Sequence, residues 1–220
     1  MHPAHRPSFA CSLLVVFTAC ATGSGRADDP VQVDTMNGWI ERVHVESERS
    51  RQVIADSFER LNTLAAGRFD KEPAASVYAR FVQSIDLAEQ QARRFREVVQ
   101  PMLASAEPVF TQWAADVKTY QSDRMRQRAE LRFAVAKERY DAIAAAAVPA
   151  QDRLDAYVKA LRDHATFLAH DLNASAIDDI QDEVKAVAAT ARELDRGMES
   201  CQSAARAFVE QQSLPAAAGR

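Results

Sequence analysis

Apolar residues recur along most of this chain at alternating intervals of three and four positions. The cleanest run spans residues 177–208, where ten successive positions of the repeat are apolar. Two further runs span residues 78–120 and 129–168, and the only polar residues at their repeat positions are Asp116 and His164. A 3.5-residue repeat is typical of α-helices that pack together in a coiled coil. The pattern therefore predicts long amphipathic helices.

We predict four helices from these runs and from the residues that separate them. Gly67 and Pro73 bound the first break, and Ser122 is placed to cap the third helix. The sequence Ser175-Ala-Ile-Asp178 has the spacing of a capping box at the start of the fourth helix. The predicted helices lie near residues 36–66, 74–121, 124–171 and 175–212.

Helices joined by short turns pack antiparallel, so we expect an all-α fold, an elongated antiparallel four-helix coiled-coil bundle with a long central hairpin. The second and third helices reach roughly 70 Å at 1.5 Å per residue, and the first and fourth are shorter. The hairpin tip near Ser122 should therefore project beyond the other two helices by roughly 15 to 25 Å. Both ends of the helical domain should leave the bundle on the side of this tip.

The first predicted helix has the weakest repeat. Its apolar positions include Ile40 and Leu61, but Ser47, Ser50 and Ser57 interrupt the pattern. The apolar seam is therefore less well defined in this helix than in the other three.

Three prolines, Pro101, Pro108 and Pro149, lie inside the predicted helices. A proline in a helix removes a backbone hydrogen bond and costs about 3 kcal/mol, so each is also a candidate helix end. The apolar repeat nevertheless keeps its phase across all three, and each proline falls on the outward side. We therefore expect kinked but continuous helices, with Pro149 as the position most prone to a true break.

The N-terminal segment has the pattern of a bacterial lipoprotein signal. A basic start precedes an apolar run over residues 8–17, and Thr18-Ala19-Cys20 supplies small residues before a cysteine. The apolar run is too short to span a bilayer, which needs about 20 residues. We predict a signal peptide over residues 1–19, a lipidated Cys20 with a flexible tether over 20–35, a helical coiled-coil domain over 36–212 and a disordered tail over 213–220.

This signal predicts a protein of the bacterial cell envelope, on the periplasmic side and anchored by lipid. Ala21 after the cysteine favours the outer membrane by analogy with enterobacterial sorting, and the inner membrane is the alternative. Phe17 is bulkier than the aliphatic residue usual at its position, which leaves a soluble secreted form open. The expected partners are a membrane, through the lipid anchor, and an unidentified envelope protein.

Charge and cysteine content narrow the possible functions. The chain has 27 Lys and Arg and 31 Asp and Glu, and removing residues 1–19 takes away Arg6, which leaves 26 basic against 31 acidic residues and a net charge of −5. Neutralising phosphates takes a basic surface, so we expect no nucleic-acid partner. Of the 3 cysteines, Cys11 leaves with the signal and Cys20 is lipidated, so Cys201 has no partner for an internal disulfide.

Four residues near the last turn form one candidate binding site. His164 lies on the apolar seam, where we expect Glu183 to satisfy it in the packed interior; a pH-sensing or ligand role is the alternative. His170, Asp171 and Asn173 stand at the turn itself. A ligand- or pH-sensing module at this end of the bundle is therefore the alternative function.

The hairpin tip forms a second candidate site because basic residues are concentrated there. Tyr120 and Met125 lie among them, and two acidic residues, Asp123 and Glu130, offset part of the charge. The tip is either an ordinary solvated turn or a contact for anionic lipid or an acidic partner. The basic residues are Lys118, Arg124, Arg126, Arg128 and Arg132.

The sequence lacks the motifs of common catalytic and cofactor sites. Glu41 and His44 have the Glu-x-x-His spacing of helical metal sites, but such sites need a second motif and two further inward glutamates. Gly67 alone cannot form a glycine-rich phosphate loop. We therefore expect no catalytic residues, no metal and no cofactor, and we place an enzyme or a DNA-repair-type factor last among the functions.

Three segments carry a family resemblance: Gly38-Trp39, Phe110-x-x-Trp113-x-x-Asp116-x-x-x-Tyr120 and Phe167-Leu-Ala-His170-Asp-Leu-Asn173-Ala-Ser-Ala-Ile177. Over roughly residues 36–210 the chain resembles an uncharacterised bacterial lipoprotein family, the domain of unknown function numbered 2959. The family pattern differs at three positions, with lysine at Ala169, asparagine at Asp171 and glutamate at Asp116. The resemblance implies an elongated helical envelope protein and supplies no reaction. We therefore predict a structural or scaffolding lipoprotein that holds or spaces a partner.

Overall fold

The computed structural model describes residues 30–67, 69 and 72–212. All regular structure in this part of the chain is helical, which confirms the predicted all-α fold. The predicted signal peptide, Cys20 and the tail over 213–220 lie outside the described residues. The helices are α1 (Pro30–Ala65), α2 (Ala74–Val117), α3 (Asp123–His170), α4 (Ala174–Asp179) and α5 (Gln181–Gln212).

The long helices form a ring in which α1 and α3 each pack against both α2 and α5. Cross-helix contacts set the directions, because residue numbers rise along one helix as they fall along its neighbour. On the α1–α5 side, Arg51 Nε lies 2.7 Å from Asp195 Oδ1, and on the α2–α3 side the Tyr78 hydroxyl donates to the Ala165 carbonyl at 2.9 Å. The arrangement is the predicted antiparallel four-helix bundle, with α2 and α3 as its central hairpin.

The first helix begins earlier than predicted, at Pro30 instead of near residue 36. Proline suits the first position of a helix, since its fixed φ is already helical and its missing N–H would have no partner there. Met36 is 2% exposed and extends the apolar seam into this first part of α1. The predicted tether over residues 20–35 was therefore wrong for residues 30–35, which are helical.

The central turn is also wider than predicted, since α2 ends at Val117 and not near residue 121. The backbone N–H of Lys118 donates to the Ala115 carbonyl at 3.1 Å, and both the N–H and the hydroxyl of Thr119 donate to the Asp116 carbonyl. These short-range bonds satisfy the last carbonyls of α2 and close the helix. At the other side of the turn, Ser122 caps α3 as predicted, with its side chain accepting from the Met125 N–H.

The predicted fourth helix is divided at Ile180, between α4 and α5. The side-chain amide of Gln181 donates to the Ile177 carbonyl at 3.2 Å and to the Ala65 carbonyl at 2.6 Å. The Gln181 side chain thereby satisfies the Ile177 carbonyl, which in a continuous helix would accept a backbone N–H. The predicted cap was also wrong, because Asn173 Oδ1, and not the Ser175 side chain, accepts the first free N–H, that of Ala176.

The helices run without interruption through all three internal prolines. Pro101 and Pro108 lie inside α2, and Pro149 lies inside α3. The expectation of continuous helices is confirmed, and α3 does not break at Pro149.

The predicted seams form the core along most of their length, although Tyr120, the last predicted position of the second run, is exposed. All ten seam positions of the last run, from Ile177 to Phe208, are buried. In α1 the three serines at positions 47, 50 and 57 are each 0% exposed, so they belong to the core and do not interrupt it. In α3 the seam differs by one position near its end, because Ala165 is buried and His164 is only half-buried.

The hairpin tip projects beyond the other helices, as predicted. The last turn of α5 reaches only the level of Ala136 and Arg139, since these residues and Gln211 line one cleft. About 14 residues of α3 therefore extend past the end of α5, which corresponds to roughly 20 Å. The first turn of α1 and the last turn of α5 both lie on this side of the bundle.

Candidate functional site

The projecting tip concentrates positive charge at one end of the rod. Residues 118–132, which we call the basic tip, contain five basic and two acidic residues, a net charge of +3. Arg126 pairs with Asp123, and its other guanidinium nitrogen lies 3.5 Å from the Tyr120 carbonyl oxygen. No ion-pair partner for the other four basic side chains is found in the described residues; they are Lys118, Arg124, Arg128 and Arg132.

Large apolar side chains are exposed beside these charges. Leu131 is 67% exposed, Met125 48% and Tyr120 42%. Single exposed apolar residues are common on the surfaces of monomeric proteins. Here three lie within one short hairpin end, next to unpaired arginines, and together they form an amphipathic surface. Such a surface attracts anions electrostatically and also buries apolar area on contact.

An aromatic cluster supports the base of the tip. The Phe133 ring packs edge-on against Trp113 at 5.7 Å and against Phe110 at 6.2 Å, and Phe110 also contacts Tyr140 at 5.3 Å. Lys137 Nζ lies 5.8 Å from the Phe110 ring, within range of a cation–π contact. These contacts join α2 to α3 at the base of the tip, so the tip is held as a defined hairpin.

In the other candidate site, Asp171 and Asn173 bond to each other, and no hydrogen bond among the described residues joins either His164 or His170 to them. Asn173 Oδ1 caps α4 by accepting from Ala176, and the Asn173 amide donates to Asp171. His170 is the exposed last residue of α3. Asp171 and Asn173 therefore have a structural explanation as the capping pair of this turn.

His164 differs from expectation in its partner. Its Nδ1 donates to the Ala160 carbonyl of the same helix at 2.7 Å, and the predicted partner Glu183 is exposed. The Nε2 atom is buried, and the described residues supply it with no hydrogen-bond partner. The prediction of a His164–Glu183 contact was therefore wrong, because the seam position passes to Ala165 and the imidazole turns back along α3.

A polar layer crosses the middle of the core between α1 and α2. Gln91 is 4% exposed, and its Nε2 lies 2.9 Å from Glu46 Oε2 and 3.2 Å from Ser50 Oγ. Ser50 in turn donates to the Glu46 carbonyl at 2.7 Å. Sequence reasoning missed this layer, because Gln91 does not fall on the predicted seam of α2, and the available signal was the serines that interrupt the repeat of α1.

A second buried polar contact joins α1 to α3. The Tyr157 hydroxyl lies 3.0 Å from Ser57 Oγ and donates to the Ile54 carbonyl at 3.2 Å. Burial raises the pKa of Tyr157 to about 12, because the phenolate would be stripped of water. Burial likewise raises the pKa of the Cys201 thiol to about 11. The core therefore holds these two groups in their neutral forms at neutral pH.

The described residues contain no group of three or more His, Cys, Asp and Glu side chains arranged to hold a metal ion. His44, half of the single Glu-x-x-His motif, has its Nδ1 3.2 Å from the Gln202 carbonyl oxygen across the α1–α5 interface. Among the described helices, none combines the length and apolar character needed to cross a bilayer.

Comparison with known proteins identifies the family. The model of the family described as protein of unknown function (DUF2959) matches residues 32–212, which is most of the chain. Comparisons with curated proteins and with solved structures give no match. The chain therefore belongs to the DUF2959 family, in agreement with the resemblance carried by the turn and tip motifs.

Proposed function

We propose that this member of the DUF2959 family is a scaffolding lipoprotein of the bacterial cell envelope, a helical rod anchored through lipidated Cys20. Its basic tip docks on the anionic membrane surface that holds the anchor, while the rest of the bundle holds or spaces a partner. The observation that carries the proposal is the basic tip, where unpaired arginines and exposed apolar side chains project beyond the remaining helices.

The length of the helices supports a role as a spacer. The 48 residues of α3 correspond to roughly 70 Å of continuous helix. Ion pairs between helices reinforce the rod away from its ends, as where Arg162 Nη2 lies 2.7 Å from both Asp86 Oδ1 and Glu89 Oε1. These pairs are partly exposed and each contributes little to stability, but they fix the register of α2 against α3.

An anchor at Cys20 would lie on the same side as the tip, because α1 begins on that side. Nine residues lie between Cys20 and Pro30, and the ten steps from one Cα to the other reach about 35 Å at most when extended. The tip projects roughly 20 Å beyond the end of α5, so an anchor attached at Cys20 lets the tip touch the same surface. Each basic side chain near an anionic leaflet contributes about 1 kcal/mol, and exposed Tyr120 and Met125 add apolar contact with the headgroups.

Vesicle binding tests the tip contact. Residues 21–220, which contain every described helix, should bind vesicles rich in phosphatidylglycerol at low salt and should not bind phosphatidylcholine vesicles. Changing Arg124, Arg126 and Arg128 together to Glu should lower the binding at least about tenfold, because three attractive charges become repulsive.

A matched triple variant controls for net charge. Arg153, Arg192 and Arg196 are basic residues elsewhere on the bundle surface, and their change to Glu alters the total charge equally. This control should bind anionic vesicles as the parent does. Equal binding by the tip variant and the parent, or no binding by the parent, would contradict the membrane contact.

Fractionation tests the anchor separately. In the native host, Cys20→Ser should move the protein from the membrane to the soluble fraction, since a lipid chain supplies most of the membrane affinity. An unchanged membrane fraction would show that lipid on Cys20 is not the anchor.

A further inference from the structure

A groove lies on the flank of the projecting hairpin, where α3 extends past the end of α5. We call it the flank groove; its volume is about 590 Å³, and apolar Trp113, Leu131 and Val135 line it together with Arg132 and Arg139. Gln211, in the last turn of α5, closes one end. The flank groove therefore continues the path that α5 follows along α3.

The direction of α5 explains why this surface accepts a helix. Gly197 of α5 lies against α3, and a Cβ at this position would be 3.9 Å from Ala150 Cβ. Further along, α5 ends at Gln212, and beyond that level α2 still packs against α3 but the described helices leave this flank of α3 uncovered. The uncovered surface is about 14 residues of α3 long, which corresponds to about four helical turns.

The apolar part of the groove is already formed. Trp113 is half-buried and held by its edge-on contact with Phe133 at 5.7 Å. Leu131, at 67% exposure, is the most exposed of the large apolar side chains. Covering these two side chains would bury a substantial apolar area without first reorganising the hairpin.

The positive charges in the flank groove favour an occupant with negative charge. Arg132 and Arg139 are seven residues apart and so lie on one edge of α3, and neither has an ion-pair partner in the described part of the chain. In helix pairs, basic residues at this spacing pair with acidic residues that flank the partner's apolar stripe. A second copy of this chain would bring its own basic tip into the same region, where like charges repel.

We propose that the flank groove binds an acidic amphipathic α-helix of a partner protein, aligned with α5. Its apolar stripe packs on Trp113, Leu131 and Val135, and two carboxylates seven residues apart pair with Arg132 and Arg139. The inference rests on the scaffolding role proposed above but not on the membrane contact, whose test changes three other arginines.

The probe is a synthetic 18-residue helix with leucines at alternating intervals of three and four and glutamates flanking them. Its control carries lysine in place of each glutamate. The receptor is the full chain carrying Cys20→Ser and Trp39→Phe, so that Trp113 is the only tryptophan and reports occupancy by its emission wavelength. The glutamate peptide should shift the Trp113 emission to the blue in a saturable way, and the lysine peptide should not.

Charge reversal in the groove gives the sharpest test. The double variant Arg132→Glu with Arg139→Glu should weaken binding of the glutamate peptide at least about tenfold and should create binding of the lysine peptide. Leu131→Glu should weaken binding of the glutamate peptide similarly. Leu87→Glu, at a residue 54% exposed on α2, should leave this binding unchanged. Circular dichroism of each variant checks that the bundle remains folded.

Five results would overturn the proposal. Equal binding of both peptides, or unchanged binding after charge reversal, would leave only non-specific apolar adsorption. A concentration-dependent dimer that Leu131→Glu disrupts would assign the groove to a second copy of the chain. Loss of vesicle binding in the Leu131→Glu variant, without any peptide binding by the parent, would assign it to the membrane. A blue shift that appears only after deletion of residues 213–220 would assign the flank groove to the chain's own C-terminal segment.

Discussion

Replacing Tyr157 with phenylalanine should change stability in a way that depends on pH. The Tyr157 side chain is 0% exposed, and its hydroxyl contacts Ser57 Oγ and the Ile54 carbonyl. At pH 8 the variant loses these contacts and leaves their partners less well satisfied, so its free energy of unfolding should fall by about 1 kcal/mol.

At higher pH the ionisation of the phenol works against the native protein. The pKa of Tyr157 is raised to about 12 in the folded state from 10.0, so the unfolded chain loses its proton first. The contribution of the neutral phenol is therefore fully present below pH 10 and is lost as the pH rises toward 12. At pH 11 the loss is about 1.4 kcal/mol in the free energy of unfolding, or tenfold in the unfolding equilibrium.

The Phe variant lacks this ionisation, so the deficit of about 1 kcal/mol at pH 8 should vanish or reverse by pH 11. The free energies of unfolding follow from urea titrations monitored by circular dichroism at both pH values. Tyr140, whose pKa burial also raises to about 12, remains in both proteins and cancels from the difference. Tyr120→Phe, at an exposed hydroxyl, is the control. A difference for Tyr157→Phe that stays constant between pH 8 and 11 would refute the burial argument.

Three further perturbations have clear expected results. In a variant whose only cysteine is Cys201, the folded thiol should react with DTNB at pH 8 more than about 100-fold more slowly than the unfolded one. The reason is that the side chain is buried and its pKa is raised from 9.0 to about 11. Rapid labelling of the folded protein would contradict this. Gly67→Ala should lower the free energy of unfolding by about 1 kcal/mol, because Gly67 has φ +62°. Gly38→Ala, inside α1 with open space around the new methyl group, should raise it by up to about 1 kcal/mol, and thermal melts that move both variants in the same direction would contradict the backbone argument.

The apolar repeat predicted the fold because a coiled-coil seam is a local property of each helix. The ten positions from Ile177 to Phe208 are buried without exception, and the repeat also predicted correctly that α3 continues through Pro149. The division at Ile180 was not predictable in this way. It depends on the Gln181 amide reaching the Ala65 carbonyl of another helix, which the repeat does not encode.

Polar residues on the seam were harder to interpret from sequence. Ser47 interrupts the repeat of α1, yet it is 0% exposed and its hydroxyl donates to the Val43 carbonyl at 2.7 Å. A serine can satisfy its own hydroxyl within the helix and then pack as a small residue. His164 shows the opposite case, since the adjacent Ala165 fits the core better and displaces it from the seam.

Charge counting located the basic tip, because it needs only the position of one turn between two long helices. The flank groove was not predictable, since it depends on how far α5 extends along α3. Gln211 lies beside Arg139, and this register follows from the packing of the whole bundle. The sequence names the residues of the groove but not the absence of a covering helix among the described elements.

The antiparallel ring gives the rod two very different responses to mechanical force. A pull that separates residue 30 from residue 212, which leave on the same side, peels α1 from α5 one contact at a time, with the His44–Gln202 contact loaded first and the Gln181–Ala65 contact last. A pull on residue 30 with the opposite turns held fixed instead shears α1 along its axis. In that direction the Arg51–Asp195 contact and the Gln91–Glu46 contact bear load together, and slippage by even one turn misplaces every seam residue. The bundle should therefore resist a pull along its long axis and should open readily when α1 and α5 are pulled apart at the end that holds residues 30 and 212.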